Sequence, residues 1–273
     1  MLTGEVNVGK TWALVEMLRW VRANRVPDAT MGVLIYPGEY GDETLTPLEG
    51  KEPGLLVRRV PLSANPEVPV KSLDVIARVR KETADMIAGK HGPLTIFAGD
   101  GLHKHFDYEF DAALNGAYFA GEELDGASYI RGYMRFRQYL SMVRDTSIPL
   151  VAYTSWAKLK PERQSKPGEK ARDVPMKIFP AFLGTMGRDI VGEVGICLMQ
   201  TLRRKVESDP EHLFHPSLVV SKGDRPQVRI WQTRPYGEVR GVGIKGPKEI
   251  TEKIPTFLPA DYGILESYFS GGQ

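Results

Sequence analysis

Cysteine is nearly absent: Cys197 is the only one in 273 residues. That excludes an intrachain disulfide framework and fits a reducing cytoplasm. Cys197 sits in an apolar run and reads as a buried, inert thiol. Long hydrophobic runs are also missing. No stretch of about 18 apolar residues occurs, so no membrane-spanning helix and no membrane partner are expected. Nor does the start show a basic segment before an apolar run, so no signal peptide is read. Histidine is scarce, with His91, His103, His105, His212 and His215 in no zinc spacing. His103 and His105 would share one strand face, yet no cysteine or third ligand lies near them in sequence. Charge of one sign is lacking too. Lysine and arginine number 36 against 34 acidic residues, so local clusters rather than net charge must indicate partners. There is no Gly/Ser linker, repeat or low-complexity segment, and one domain over residues 1–273 is the economical reading.

What is present is concentrated at the start. Gly4-Glu5-Val6-Asn7-Val8-Gly9-Lys10-Thr11 fits G-x-x-x-x-G-K-[ST], the phosphate-binding P-loop. Gly4 and Gly9 permit backbone angles that a Cβ forbids, so main-chain N–H groups can turn inward around an anion. A helix follows, whose first N–H groups and positive dipole end favour phosphate. Lys10 would reach the β- and γ-phosphates, and the Thr11 hydroxyl would ligate Mg²⁺. Trp12 completes the expected nucleotide-binding stretch. The helix is predicted over residues 11–24, with Ala13, Leu14, Met17, Leu18 and Val21 on one face, ending before Pro27. Only Met1-Leu2-Thr3 precede Gly4, whereas such a loop normally follows a buried strand of about five residues. The strand is a stub or its beginning is missing. Unpaired backbone in a central strand position favours the second, so a truncated first strand is the expectation.

Further strands end in chemistry. Met31-Gly-Val-Leu-Ile-Tyr36 reads as a buried strand beside the P-loop strand, and Glu39 after it as the base that polarises water. Residues 55–60 read as a strand near an edge, and 72–88 as a helix with Leu73, Ile76, Val79, Thr83 and Met86 on one face. Leu94-Thr-Ile-Phe-Ala98 followed by Gly99-Asp100 is a Walker-B arrangement, with Asp100 accepting from Thr11 and holding the metal. Gly101, not Glu, follows Asp100. The usual acidic pair of many AAA proteins and large terminases is therefore absent, and Glu39 is the best-placed alternative. Residues 104–127 are acidic and aromatic, suited to a lid, a subunit contact or local packing. A helix over 128–144 is expected to bury Ile130, Tyr133, Met134, Leu140 and Val143. Ile148-Pro-Leu-Val-Ala-Tyr153 is a third buried strand. Thr154 and Ser155 follow it, either sensing the γ-phosphate or satisfying the strand's last backbone group.

Residues 156–175 read as an irregular basic loop. Trp156 at its base could stack on a nucleobase, and Lys158, Lys160, Arg163, Lys166, Lys170 and Arg172 suit a phosphodiester backbone. Residues 190–202 read as an apolar strand. Residues 218–221 and 227–233 read as a C-terminal β-hairpin around Lys222 and Arg225, and 239–245 as a further strand carrying Lys245.

In this order of elements the chain resembles the RecA-like branch of P-loop ATPases, especially the small AAA-type nucleotide-binding proteins of bacteriophages and prophages. The resemblance implies a mostly parallel central sheet flanked by helices, ATP and Mg²⁺, and homo-oligomers acting on single-stranded DNA. It places Glu39 where such proteins keep the carboxylate that activates water. Lys222-x-x-Arg225 resembles the hairpin that they insert into a neighbour's ATP site, one residue longer here, with Lys245 competing for that role. A terminase-like packaging motor, a nucleotide-dependent assembly switch with little turnover and a small-molecule kinase are the alternatives.

Overall fold

The computed structural model describes residues 1–5, 7–39, 42–62, 71–161, 175–182, 186–221, 223 and 225–270. The elements are β1 (Leu2–Gly4), α1 (Lys10–Asn24), β2 (Met31–Ile35), α2 (Asp42–Leu45), β3 (Leu55–Arg59), α3 (Ser72–Ile87), β4 (Ile96–Asp100), α4 (Leu102–Ala113), α5 (Gly126–Arg144) and β5 (Leu150–Pro161). They continue with β6 (Met176–Pro180), α6 (Met186–Val194), β7 (Ile196–Arg204), β8 (Gln227–Gln232), β9 (Gly243–Ile244), α7 (Lys248–Thr251), β10 (Phe257–Pro259) and α8 (Tyr262–Phe269). The chain is α/β with mixed β-structure and divides into two compact units. One is Thr11–Thr154; the other combines Met1–Lys10 with Ser155–Gln273.

The Thr11–Thr154 unit is a parallel sheet in the order β3-β2-β4-β5. Every residue of β2 and of β4 is buried, as expected where helices cover both faces of parallel strands. β3 lies at the edge, as its paired arginines suggest. The neighbours of β2 are β3 and β4, which corrects the expectation that β2 lies beside the P-loop strand. α3 buries Val75, Ile76, Val79, Thr83 and Met86, whereas Leu73, expected on that face, is half exposed. α5 is rotated from its predicted face: Gly132, Phe136, Tyr139, Leu140 and Val143 are inside, and Ile130 and Met134 are outside. The reason is the approach to α4. A Cβ on Gly132 would stand 2.1 Å from the ring of Phe110, so only glycine lets the helices meet there. Phe106 and Phe110 of α4 are fully buried among Tyr129, Tyr133 and Phe136, so this part of the aromatic segment packs locally, whereas Phe119 is exposed.

In the other unit, β1 pairs parallel with β7, β7 antiparallel with β8, and β8 antiparallel with β10. β6 pairs antiparallel with residues 157–161 of β5, and β9 with the start of β7. Three expectations are corrected. The apolar run 190–202 is the end of α6 followed by β7, divided at Gly195. Gly195 has φ 75° and its N–H bonds the Val191 carbonyl, a glycine helix stop inside a hydrophobic stretch. Residues 218–221 form no hairpin with β8. Pro216–Leu218 is a 3₁₀ turn capped by His215, and the partner of β8 is β7 over six residue pairs. Finally, β5 runs on to Pro161, so Trp156, Lys158 and Lys160 lie on a strand rather than in a loop.

Candidate active site

The Gly4–Thr11 stretch begins on β1. Thr3 is buried and its hydroxyl donates to the Trp156 carbonyl at 2.9 Å. Gly4 lies against β7 so closely that a Cβ would stand 2.5 Å from the Gln200 carbonyl oxygen. Asn7 (φ 64°) and Gly9 (φ 82°) take left-handed backbone, the local geometry from which anion-binding nests are built. The Lys10 ammonium is buried and donates to the carbonyls of Gly4 (3.2 Å) and Glu5 (2.5 Å). A buried pair supports the loop. Gln200 Nε2 donates to the Val8 carbonyl at 2.7 Å, and Trp231 Nε1 donates to Gln200 Oε1 at 2.9 Å. Gln200 and Trp231 were not singled out from sequence, because nothing local marks a residue 192 positions from its partner. Val6 lies outside the described residues.

The next residue in the chain, Thr11, belongs to the parallel unit. Its hydroxyl donates to the Asp100 carboxylate at 3.0 and 3.2 Å, 89 residues away in sequence. Asp100 ends β4, is 1% exposed, and receives a second hydroxyl bond from Thr154 at the same end of β5. Thr154 in turn accepts the Gly101 N–H at 2.9 Å. The Thr154 hydroxyl therefore orients Asp100 and satisfies a backbone donor, one of the two readings its position allows. Ser155 is buried, and its hydroxyl donates to the Trp156 carbonyl at 3.0 Å.

Glu39 reaches the same strand ends through a turn. Pro37 and Gly38 (φ 82°) occupy the middle of a four-residue bend closed by the Glu39 N–H to the Tyr36 carbonyl at 3.1 Å. Pro then Gly is the pairing a type II turn requires. Tyr36 N–H in turn bonds the Asp100 carbonyl, at the register where Ile35 faces Asp100. A Cβ on Gly101 (φ 90°) would stand 2.5 Å from Glu39 Oε2, so glycine is needed there twice, for backbone and for space. Gly101 is also the N-cap of α4, where the helix dipole favours an anion. His103 Nε2 is 3.8 Å from Glu39 Oε2, and both side chains are at most 9% exposed. Trp12, also read as a nucleotide contact, carries the Arg19 guanidinium over its ring at 4.8 Å.

Behind this end of the sheet lies a buried polar layer. Tyr36 and Tyr139 hydroxyls are 2.7 Å apart, and His105 stacks on Tyr36. His105 Nε2 lies 3.3 Å from the buried Glu109, which also receives Arg80 and Arg135. His103 and His105 lie on α4, which corrects the strand-face expectation. Burial lowers the pKa of His105. Glu109 resists the upward push of burial and is held below its ordinary value by His105 and Arg80. Burial pushes the Cys197 thiol up to about 12, in keeping with an inert core residue.

The remaining candidates separate. Lys158 and Lys160 of β5 face Phe179 and Lys177 of β6. Arg163, Lys166, Lys170, Arg172 and Lys222 lie outside the described residues. Arg225 donates to the Lys205 carbonyl (3.1 Å), and Lys245 to the Gly192 carbonyl (2.8 Å) near the end of α6, where a cation suits the helix dipole. Among the described residues no group of three or more His, Cys, Asp or Glu forms a metal cage, and no helix is long and apolar enough to cross a membrane. Searches with the sequence find no matching family model and no matching curated protein.

Proposed function

We propose that this chain binds and hydrolyses ATP as a RecA-like P-loop protein and couples that to single-stranded DNA. The observation that carries the reading is the bond between Thr11 and Asp100, 89 residues apart. A P-loop hydroxyl bonded to the aspartate that ends a buried strand is the pairing a Walker-A/Walker-B site requires. Two hard oxygen donors and no closed cage also suit Mg²⁺, which keeps several waters and takes few protein ligands beside the phosphates. Thr11 and Asp100 would hold it, and when bound it neutralises charge on the phosphate oxygens.

The residues then divide the work. Loop N–H groups and the Lys10 ammonium bind the β- and γ-phosphates, Lys10 exchanging main-chain carbonyls for phosphate oxygens. Thr154 keeps Asp100 in place. Glu39 takes the proton of the water whose oxygen attacks the γ-phosphorus, as the bond to the β–γ bridging oxygen breaks. A glutamate on the turn that follows a strand adjoining β4, near His103 and the N-cap of α4, is suited to that step. The DNA part rests on the lysines of the β5–β6 pair. Lys158 of β5 is exposed, a cation open to a phosphodiester backbone.

Glu39→Gln is the test. Hydrolysis is expected to fall by about 10²- to 10⁴-fold while ATP binding is retained. Unchanged turnover removes Glu39 from the chemistry. Wild-type hydrolysis is expected to rise on adding single-stranded DNA; no rise and no DNA binding at low salt overturn the DNA reading.

A further inference from the structure

Arg229 stands on β8, 220 residues from Gly9 in sequence, yet its guanidinium lies against that glycine of the phosphate loop. A Cβ on Gly9 would meet Arg229 Nε at 2.9 Å, Cζ at 3.1 Å and Nη2 at 3.3 Å. The side chain is exposed, and among the described residues no carboxylate pairs with it. This is an unfavourable place for an idle cation. A loop that turns its N–H groups inward is itself electropositive, and a guanidinium beside it adds like charge until an anion arrives. The strand that carries Arg229 is fixed from both sides. Ile230 and Trp231 are buried, the Arg229 carbonyl accepts the Ala260 N–H at 3.0 Å, and Trp231 holds Gln200 against the Val8 carbonyl. The brace that supports the loop thus also presents an arginine to it.

We propose that Arg229 is a second phosphate-binding cation of this loop, contributing more as the number of phosphates rises. Its planar fork matches two phosphate oxygens, a geometry Lys10 does not offer. The inference rests on the reading that the loop binds a nucleoside triphosphate, so its test must separate the two.

The experiment is calorimetric titration of wild type, Lys10→Ala, Arg229→Met and Arg229→Lys with ATP, ADP and AMP at low and moderate salt. Methionine keeps an unbranched stem against Gly9 without the charge. Arg229→Met is expected to weaken ATP binding by about 10- to 100-fold, ADP less and AMP least, with a smaller salt dependence than wild type. Arg229→Lys should recover part of the loss. Arg229→Met binding ATP like wild type, while Lys10→Ala does not, overturns the role of Arg229 and leaves the loop reading standing. An equal loss for all three nucleotides with the salt dependence unchanged also overturns it, because that marks a packing defect. No ATP binding by wild type defeats the loop reading itself, and the inference with it.

Discussion

The two units treat their basic side chains differently. In the Thr11–Thr154 unit, five arginines bond to carboxylates, Arg19 to Glu52, Arg58 to Glu82, Arg59 to Glu49, and Arg80 and Arg135 to the buried Glu109, while Arg22 and Arg78 donate to main-chain carbonyls. In the unit holding residues 1–10 and 155–273, Lys10, Arg225, Arg234 and Lys245 donate to main-chain carbonyls. A carboxylate cancels the charge it pairs with; a carbonyl dipole only solvates it. A charge-assisted bond to a phosphate oxygen is stronger than one to a neutral carbonyl. The units also differ in what holds their candidate residues. Asp100 is fixed by two side-chain hydroxyls, whereas the loop is fixed by bonds to its own backbone.

Asp100→Asn gives the largest expected effect. It removes the charge on which Thr11 and Thr154 converge, and ATP hydrolysis should drop by about 10²- to 10³-fold in a turnover assay. Activity within a few-fold of wild type would break the link between Thr11 and a catalytic carboxylate. Gln200→Ala probes the backbone-held loop. It strands the Val8 carbonyl and the Trp231 indole N–H, and denaturant unfolding should show a loss of about 1–3 kcal/mol. The same variant should weaken ATP binding; a stability loss with unaltered binding would mean the loop needs no brace.

The smallest effect is on pH dependence. His105 titrates below its ordinary 6.5 in the folded chain, so the unfolded chain binds the extra proton first. Its contribution to stability is full above 6.5 and is lost as pH falls below it. The groups facing it are Glu109, Arg80 and Arg135. Glu109, held below 4.5, adds a second loss only at lower pH. Melting temperature should therefore decline from pH 7 to pH 5, and His105→Phe, which keeps the ring packing, should flatten that slope. An equal slope in the variant would place the titrating group elsewhere.

The parallel unit was the more legible. β2, β4 and the first half of β5 are short apolar runs bounded by turn residues, and α1 and α3 repeat at helical spacing, so their places were readable within a residue or two. The other unit resisted for local reasons. A glycine stop divides the run 190–202, and the partner of β8 lies across a long connection rather than across Lys222 and Arg225. The face of α5 was misread because Gly132, a residue without a side chain, decides which side faces Phe110.

By itself the sequence determined the P-loop spelling, the strand ends that carry Glu39, Asp100 and Thr154, and the α/β class. Each is a short-range pattern, written in glycine spacing or apolar periodicity. Only the tertiary structure decided that Thr11 bonds Asp100, that Thr154 serves Asp100, that Gln200 and Trp231 brace the loop, and that Arg229 lies on Gly9. The partners in these contacts stand tens to hundreds of positions apart. No local spacing encodes such meetings, because sheet pairing and packing choose them.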